Sequence, residues 1–286
     1  MTHRRGSLGR TIALGALLAV AAGGTRAQPP VAQPLSVRHG GDARFAPLEH
    51  RYVTYILAQF PVVATYLGGA AFDPTLAAVD GRLRDYSAAA LQKEDARLSE
   101  FRASFAALAP ANLSARRRID RSVALAQINF LLHEHQVRRH QLRSLDSYVD
   151  EPFRGVDWQI QAMSRTGAAT YGSDEEWREV IARTRAVSGY LAAAERQLAA
   201  GVEAHNTPDW RVLRDFGLQS SAADADYFAQ TLPQIAAADI APAHREALVR
   251  ELQEAGNQAA AAYHHLRDFV ATSFFADLHL EGSAAL

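Results

Sequence analysis

The sequence predicts an all-α fold, a bundle-like domain with several long antiparallel helices, on three observations. Apolar residues recur at steps of three and four along several long segments. Helix-capping residues precede these segments. No alternating strand pattern longer than four residues occurs, and no repeat at a fixed period indicates a solenoid.

The composition indicates an ordinary folded domain and excludes several classes of protein. The chain has 286 residues, a net charge of −1 and no cysteine. Without cysteine there are no disulfides and no lipid attachment through a thiol, so the core alone must stabilise the fold. The densest basic run, Arg116-Arg117-Arg118, is followed by Asp120, and no sustained basic face with aromatic residues indicates nucleic-acid binding.

Residues 1–27 are typical of a secretory signal peptide. Arg4, Arg5 and Arg10 supply positive charge, residues 11–22 form a short apolar run, and cleavage is predicted after Ala27. The run is shorter than the roughly 20 residues that span a bilayer, and the alternative is a retained membrane anchor. The sequence therefore predicts a periplasmic or secreted protein with no stable membrane insertion after cleavage.

The rest of the chain is predicted to be a linker, one helical domain and a short tail. Residues 28–44 are rich in Pro and Gly and show no periodicity, which is typical of a disordered linker. The helical domain is predicted over residues 45–280, and residues 281–286 form the tail.

The N-terminal part of the domain is expected to contain two helices. The first covers Leu48–Phe60, Pro61 interrupts it, and its continuation over residues 62–67 ends at Gly68, which is typical of a helix C-cap. The second covers Ser87–Leu108. Its buried side is predicted to consist of Leu91, Leu98, Phe101 and Phe105.

A long helix is predicted from Arg116 to Leu145, with Ser114 as its cap. The segment contains neither Pro nor Gly. One stripe of this helix repeats at alternating steps of four and three, and we expect other helices to bury it. The stripe consists of Ile119, Val123, Ala126, Phe130, His133, Val137 and His140.

After this helix the sequence predicts a loop over Asp146–Gly155 and a short helix over Val156–Arg165. A strong start signal follows, because Ser173 and Glu176 are spaced as in a capping box. That helix is expected to end near Gly201. Its apolar seam consists of Trp177, Val180, Thr184, Val187, Leu191, Ala194 and Leu198.

Further helix starts are predicted in the C-terminal part. Residues 207–208, a capping Thr followed by Pro, form one, and another helix is expected over Ser221–Phe228. Pro242 opens the last helix, from Ala243 to about Leu278, whose small residues let a neighbour approach closely. Its seam consists of Val249, Leu252, Gly256, Ala259, Tyr263, Leu266 and Val270.

The histidines of the long helix suggest a metal site but do not complete one. His133-Glu134-His135 resembles the start of the zinc motif His-Glu-x-x-His, but the position that needs the second histidine holds Val137. His133 and His140 share a face but lie about 10 Å apart along a helix, too far for one zinc ion. We expect both to be hydrogen-bonded at the edge of the core.

The remaining chemical candidates have simpler interpretations. His264 and Asp268 could supply two zinc ligands, but a zinc site needs three or four, and an exposed histidine beside Asp268 is the favoured interpretation. Glu134 and Arg138 are expected to pair on a solvated face, and residues 205–209 form a turn and cap. Four acids are interpreted as a solvated loop: Asp146, Asp150, Glu151 and Asp157. No nucleophile motif or phosphate loop occurs, so no catalytic, cofactor-binding or metal-binding residue is predicted.

Several landmarks resemble, in order, those of the bacterial domain-of-unknown-function 885 family. Its members begin, after an export signal, with a helix that ends in Pro-x-x-Ala-Thr-x-Leu-Gly, with an Asp nearby. The similar stretch here is Gln59-Phe60-Pro61-Val62-Val63-Ala64-Thr65-Tyr66-Leu67-Gly68, followed by Phe72-Asp73. Later landmarks are similar to Ile119-Asp120-Arg121, Ile181–Gly201, Thr207-Pro208, Asp226-Tyr227-Phe228 and the Ala-rich last helix. The resemblance covers about Glu49 to Leu280.

The resemblance implies a relation to helical, zincin-type metallopeptidases. Members are usually about twice as long and carry a His-Glu-x-x-x-Gly-His-His type zinc motif in their second half. This sequence lacks that motif, because His264-His265 has no preceding Glu and Gly, and no catalytic residue is carried over. The resemblance thus implies an N-terminal, non-catalytic half that shapes a cleft for a peptide substrate, with zinc expected only in the missing half.

Two hypotheses follow. In the first, the chain is part of a zinc peptidase-like enzyme and is inactive alone, which predicts an apolar surface exposed where the second half docks. In the second, it is a stand-alone periplasmic binding or scaffold module, which predicts a monodisperse protein that melts cooperatively. The sequence leaves the oligomeric state open.

Overall fold

The computed structural model describes residues 40–275. The predicted signal peptide, the predicted linker up to residue 39 and the predicted tail lie outside the described residues. Among the residues described, helices make up the regular structure and no strand forms beyond an isolated bridge between Arg165 and Tyr171. The all-α prediction is confirmed.

The N-terminal half of the described chain forms a first group of helices. These are α1 (Asp42–Gln59), α2 (Pro61–Tyr66), α3 (Gly69–Phe72), α4 (Ala88–Ala106) and α5 (Ala115–Gln136). Short 3₁₀ helices at Pro74–Val79 and Pro110–Asn112 lie between them. Helices α1, α4 and α5 pack around a core that includes Tyr52, Phe101, Phe105 and Ile128.

Helix α1 begins at Asp42, inside the segment predicted as linker, rather than at Leu48. Phe45 and Leu48 are both buried, so the additional turns gain apolar contacts that outweigh the hydrogen bond lost at Pro47. The predicted break at Pro61 is confirmed, and Gly68 ends α2 with φ of 67°, a conformation that favours glycine.

The predicted continuation of α5 to Leu145 is wrong. The helix ends at Gln136, Arg139 adopts a left-handed conformation with φ of 50°, and His140–Leu142 forms a separate 3₁₀ turn. Ser114 caps the start of α5, as predicted, by accepting the Arg117 N–H. The sequence gives no sign of this break, because the segment contains neither Pro nor Gly and the left-handed residue is an arginine, Arg139.

The predicted buried stripe of α5 is also wrong, since its large members face solvent. Ile119, Phe130 and Val137 are 65%, 58% and 66% exposed. The buried side of α5 instead contains Ala124, Ile128 and Leu132. Helix α5 has apolar residues on two faces, and α1 and α4 cover only one of them.

The second group of helices encloses the larger core. Helix α6 (Leu145–Gln161) is a single helix where a loop and a short helix were predicted. Pro152 lies inside it, and burial of Tyr148, Val149 and Val156 favours the continuous helix. Helix α7 (Asp174–Glu203) begins with the predicted capping box of Ser173 and Glu176. Every predicted seam residue of α7 is buried.

The C-terminal part consists of two long helical stretches. The first, α8, covers residues 210–239, and Asp209 rather than Thr207 is its N-cap. It is continuous through segments Trp210–Val212, Leu213–Ser220, Ser221–Asp226, Tyr227–Thr231 and Leu232–Asp239, of which Leu213–Ser220 and Tyr227–Thr231 are π-helical. An α-helical segment begins at Ser221, as predicted, but it continues the preceding π-helical segment instead of opening a separate helix. The Ser221 hydroxyl donates to the Phe216 carbonyl within this stretch.

The last helix, α9 (Arg245–Phe274), lies against α7 and α8 along the predicted seam. All the seam residues are buried except Val249, which is half-buried. A Cβ at Gly256 would overlap the Phe228 carbonyl oxygen, so the close approach predicted from small residues is confirmed at this position.

Candidate functional site

In the part of the chain that the structure describes, exposed large apolar side chains are most numerous along α5. We call this surface the α5 face. It consists of Ile119, Val123, Ala126, Phe130 and Val137, all of which are exposed. Ala115, Arg118 and Ser122 border a shallow depression at its N-terminal end. A contiguous apolar surface of this kind commonly marks a binding site for another molecule.

Side-chain contacts hold helix α5 on the side opposite to this face. Tyr52 on α1 donates from its hydroxyl to Gln127 Oε1 at 2.8 Å. Arg121 donates to the Phe105 carbonyl at 2.8 Å. At the other end, His135 Nδ1 lies 2.7 Å from Asp95 Oδ1 on α4.

A buried ion network lies between the two groups of helices. Arg84 donates from Nη2 to both carboxylate oxygens of Glu94, at 3.2 and 2.9 Å, and both side chains are almost fully buried. The guanidinium carbon lies 3.9 Å from the centre of the Phe60 ring and 4.9 Å from that of Tyr86. Arg84 Nε and Nη1 are buried without a hydrogen-bond partner, so the charge of Arg84 depends on Glu94 and on ring stacking.

Glu151 of α6 extends this network toward α7. It accepts hydrogen bonds from the Tyr190 hydroxyl at 3.0 Å, the Tyr86 hydroxyl at 3.4 Å and the Arg84 backbone N–H at 3.3 Å. Burial raises the pKa of Glu151, and the charge of Arg84 partly offsets that rise. The network therefore joins α4, α6 and α7 through one arginine and two carboxyl groups.

A second buried arginine holds the stretch around Thr65 in place. Arg183 of α7 donates to the Arg82 and Gly155 carbonyls at 3.0 and 2.8 Å, and to Thr65 Oγ1 at 2.8 Å. Thr65 in turn lies 2.5 Å from Asp80 Oδ1. Burial lowers the pKa of Arg183 to about 10. These contacts explain the Thr of the Ala-Thr-x-Leu-Gly pattern as a structural residue.

Asp224 of α8 is a partly exposed carboxyl group whose pKa is strongly raised. Burial, and then the negative charge of Asp150, raise the pKa of Asp224 to about 7. Asp150 itself pairs with Arg154, whose Nη2 lies 2.6 Å from Asp150 Oδ2. The Tyr227 hydroxyl, one turn further along α8, is buried without a partner. A carboxyl group with this pKa can exchange a proton near neutral pH.

The histidines considered as zinc ligands are not brought together. His133 is exposed, contrary to the expectation of a hydrogen-bonded edge position. His140 is half-buried and hydrogen-bonded through Nδ1 to the Ser144 hydroxyl, as expected, and burial lowers its pKa. The two lie in separate elements because α5 ends at Gln136.

The C-terminal candidates are surface residues. His264 and Asp268 are exposed on α9, and His265 Nε2 lies 3.1 Å from Glu195 Oε2. Tyr263 is buried and donates to the Val149 carbonyl at 2.8 Å. Among residues 40–275, no group of three or more His, Asp or Glu side chains is arranged to hold a metal ion.

The acids interpreted as a loop lie on helix α6 instead. Asp157 accepts from Gln161 at 2.7 Å on the surface, whereas Glu151 faces the buried network. The predicted pairing of Glu134 with Arg138 is confirmed, with Arg138 Nη1 3.0 Å from Glu134 Oε1.

Sequence reasoning missed Arg84, Glu94 and Arg183. Glu94 carried a usable signal, because it lies three residues after Leu91 and four before Leu98, on the stripe that α4 buries. A charged residue at such a position predicts a buried partner. Arg183 is adjacent to Thr184 of the α7 seam and carried a similar but weaker signal.

Comparison with known proteins agrees with the landmarks in the sequence. A family model described as "Bacterial protein of unknown function (DUF885)" matches residues 61–277. No curated protein and no solved structure matches the chain. Within the described range, none of the helices is long and apolar enough to cross a membrane. The matched region covers most of the sequence, and the chain belongs to this family of bacterial proteins of unknown function.

Proposed function

We propose that this chain is a non-catalytic helical domain of an exported, metallopeptidase-like protein, and that it holds the catalytic part in place. The observation that carries the proposal is the exposed α5 face, a row of large apolar side chains that no described helix covers. Leaving such side chains in water costs free energy that a docking partner recovers. On this proposal the chain is inactive alone.

The order of landmarks supports the identity of the partner. Pro61, Thr65 and Gly68 lie at positions that resemble the opening of the family's N-terminal half. Arg183 of α7 donates to Thr65 and to the Gly155 carbonyl of α6, which fixes Thr65 against these two helices. The resemblance implies a catalytic second half with a zinc motif, and a peptide substrate that reaches the site through the complete protein. Export is proposed from the signal-like residues 1–27.

Within residues 40–275, no set of side chains fits a zinc site. A zinc ion needs three or four ligands converging at about 2 Å. His264 and Asp268 offer at most two groups on the surface of α9, and His133 and His140 lie in different elements. No step of a reaction is therefore assigned to residues of this chain.

Zinc content and peptide cleavage test the proposal directly. The purified chain is incubated with zinc, freed of excess metal, and assayed for bound zinc and for cleavage of a mixed peptide library. We expect neither bound zinc nor cleavage. About one tightly held zinc ion per chain would contradict the proposal and would make His264, Asp268, His133 and His140 the first residues to mutate.

A stand-alone periplasmic binding or scaffold module is the second candidate. The buried network around Arg84 favours it, because this network joins the helix groups without a contribution from outside the described residues. That candidate predicts a chain that stays monodisperse and melts in one cooperative transition with no partner added.

A further inference from the structure

The spacing of the α5 face matches the seam of a helix–helix interface. Ile119, Val123, Ala126 and Phe130 follow one another at steps of four, three and four. Val137 lies one heptad after Phe130, with the exposed His133 at the seam position between them. This alternation is the heptad pattern through which one helix packs along another. The face is therefore shaped for a second helix rather than for a compact small molecule.

The residues that flank the middle of the seam are uncharged. Ser122 and Asn129 are exposed and neutral, and Gln127 is hydrogen-bonded to Tyr52. A partner helix consequently meets apolar and neutral groups along the central turns. Specificity must come from the ends of the seam, because charged flanking residues set partner choice in such packings.

The N-terminal end of the seam is strongly basic. The first turns of α5 hold three consecutive arginines, and its first turn has no acidic residue. Arg117 is neutralised by Glu49 at 2.5 Å and by Asp120 at 3.3 Å. The Arg116 side chain is 76% exposed, and its contact with Asp120 is long, at 4.0 Å between Nε and Oδ2. Arg118 donates to the Leu113 carbonyl and has no ion pair in the described chain. Positive charge at a helix N-terminus is also unfavourable for the helix dipole.

We infer that the α5 face binds an amphipathic helix whose apolar residues follow a heptad seam and whose carboxylates lie over Arg116 and Arg118. This inference rests on the proposed role of the α5 face as a docking surface and names the chemistry of the partner. Such a helix would bury the exposed apolar side chains and neutralise the basic end together.

Two other occupants fit the charges less well. A second copy of α5 would place its own arginines against this end in a parallel pairing, and Arg138 and Arg139 there in an antiparallel pairing. An anionic membrane would match the arginines, but membrane-surface helices carry a broad apolar face with basic flanks, whereas this seam is narrow and its flanks are neutral.

Designed peptides test the inference without knowledge of the natural partner. A fluorescein-labelled peptide of three heptads carries Leu at the seam and Glu in its terminal heptad, and a matched peptide carries Lys in place of Glu. Fluorescence anisotropy gives Kd for both peptides with the whole chain. We expect the Glu peptide to bind at least about tenfold more tightly than the Lys peptide.

Variants then locate the contact. Arg116→Gln with Arg118→Gln should weaken binding of the Glu peptide and tighten binding of the Lys peptide, so that the two Kd values become similar. Phe130→Ala should weaken both peptides. Two exposed positions on other helices serve as matched controls, Arg250→Gln for charge and Trp210→Ala for apolar area, and neither should change Kd. Circular dichroism confirms that each variant is folded.

Four outcomes would overturn the inference, and they separate it from the proposed function. Equal binding of the two peptides would refute the acidic partner but leave the docking surface intact. Dimerisation that Phe130→Ala abolishes would identify a second copy as the occupant. Binding to phosphatidylglycerol vesicles with no peptide binding would identify a membrane. Failure of both peptides to bind, with Phe130→Ala also leaving hydrophobic-dye binding unchanged, would refute the docking role itself.

Discussion

Arg84 and Glu94 form a buried ion pair within the network that lies between the two helix groups. Removing one partner leaves an uncompensated charge in the core, whereas replacing both with apolar residues removes the desolvation cost as well. We predict that Arg84→Ala lowers the free energy of unfolding by about 3–5 kcal/mol, and that Arg84→Met with Glu94→Leu lowers it much less. Urea denaturation measures both.

The exposed pair of Arg97 and Glu100 is the control for this prediction. It has a comparably short ion-pair distance, 2.5 Å between Arg97 Nη1 and Glu100 Oε2, but both side chains are about half exposed or more. Arg97→Ala should cost less than about 1 kcal/mol. A similar small loss for Arg84→Ala would show that the Arg84 network does not stabilise the fold.

Asp224 should make stability depend on pH. Burial and Asp150 raise the pKa of Asp224 from 3.8 to about 7, so the folded state holds this proton where the unfolded state has lost it. The stabilisation is complete below about pH 4 and is lost as the pH rises toward about 7. Asp224→Asn should remove this contribution and flatten the dependence in that window.

Denaturation of wild type, Asp224→Asn and Asp226→Asn across pH 4–7 checks this prediction. Asp226 is an exposed carboxyl group two residues along α8, and its substitution should leave the slope unchanged. Equal slopes for wild type and Asp224→Asn would contradict the assignment.

At the residue scale, the sequence predicted the apolar seams but not the buried charges. The α7 seam from Trp177 to Leu198 is buried as expected because its spacing alone specifies one face. Arg84 was unpredictable, because its partners Glu94 and Phe60 come from distant positions that only the tertiary fold brings together.

At the scale of the helix, two glycines with opposite surroundings provide a paired test. Gly189 is exposed within α7 and has open space around a Cβ, whereas a Cβ at Gly256 would overlap the Phe228 carbonyl. Gly189→Ala should stabilise by about 0.4–1 kcal/mol because alanine restricts the unfolded chain. Gly256→Ala should destabilise by about 1–3 kcal/mol because α8 and α9 must move apart.

Thermal or urea unfolding distinguishes the signs of these two changes. Stabilisation by Gly256→Ala would show that α8 and α9 do not approach as closely as the fold requires. The same experiment with Gly189→Ala reports only on helix propensity and so controls for it.

The helix caps give a graded prediction. Ser173 takes part in a reciprocal capping box with Glu176, whereas Ser114 makes a single long bond of 3.5 Å to the Arg117 N–H. Ser173→Ala should cost about 1 kcal/mol, and Ser114→Ala should cost less. The reverse order in urea denaturation would contradict the assignment of the stronger cap to α7.

Two helix starts were predicted from their caps. Ser114 and Ser173 each cap a helix as predicted, because capping chemistry is local. The end of α5 and the continuity of α6 were not predicted, since Arg139 adopts a left-handed conformation and Pro152 lies inside a helix whose other residues are well buried. Those outcomes depend on tertiary contacts.

At the scale of the whole molecule, the all-α class was predictable from the sequence. Which of the two apolar faces of α5 the rest of the domain covers was not predictable. The seam from Ile119 to Val137 was expected to be buried, and it lies in solvent. The periodicity identified an apolar face correctly, but it cannot state whether the covering helix belongs to the same domain. An apolar seam left uncovered by the described residues is the feature that a docking domain requires.

Binding of the neutral dye Nile red is the measurement that tests this account most directly. Three proteins are compared: wild type, the variant with Val123→Gln and Phe130→Gln, and the control Trp210→Gln, whose side chain is as exposed as that of Phe130. We predict that dye fluorescence is strong for wild type and the control and is mostly lost in the α5 variant. Equal fluorescence from all three proteins, or none from wild type, would contradict the α5 face as a docking surface.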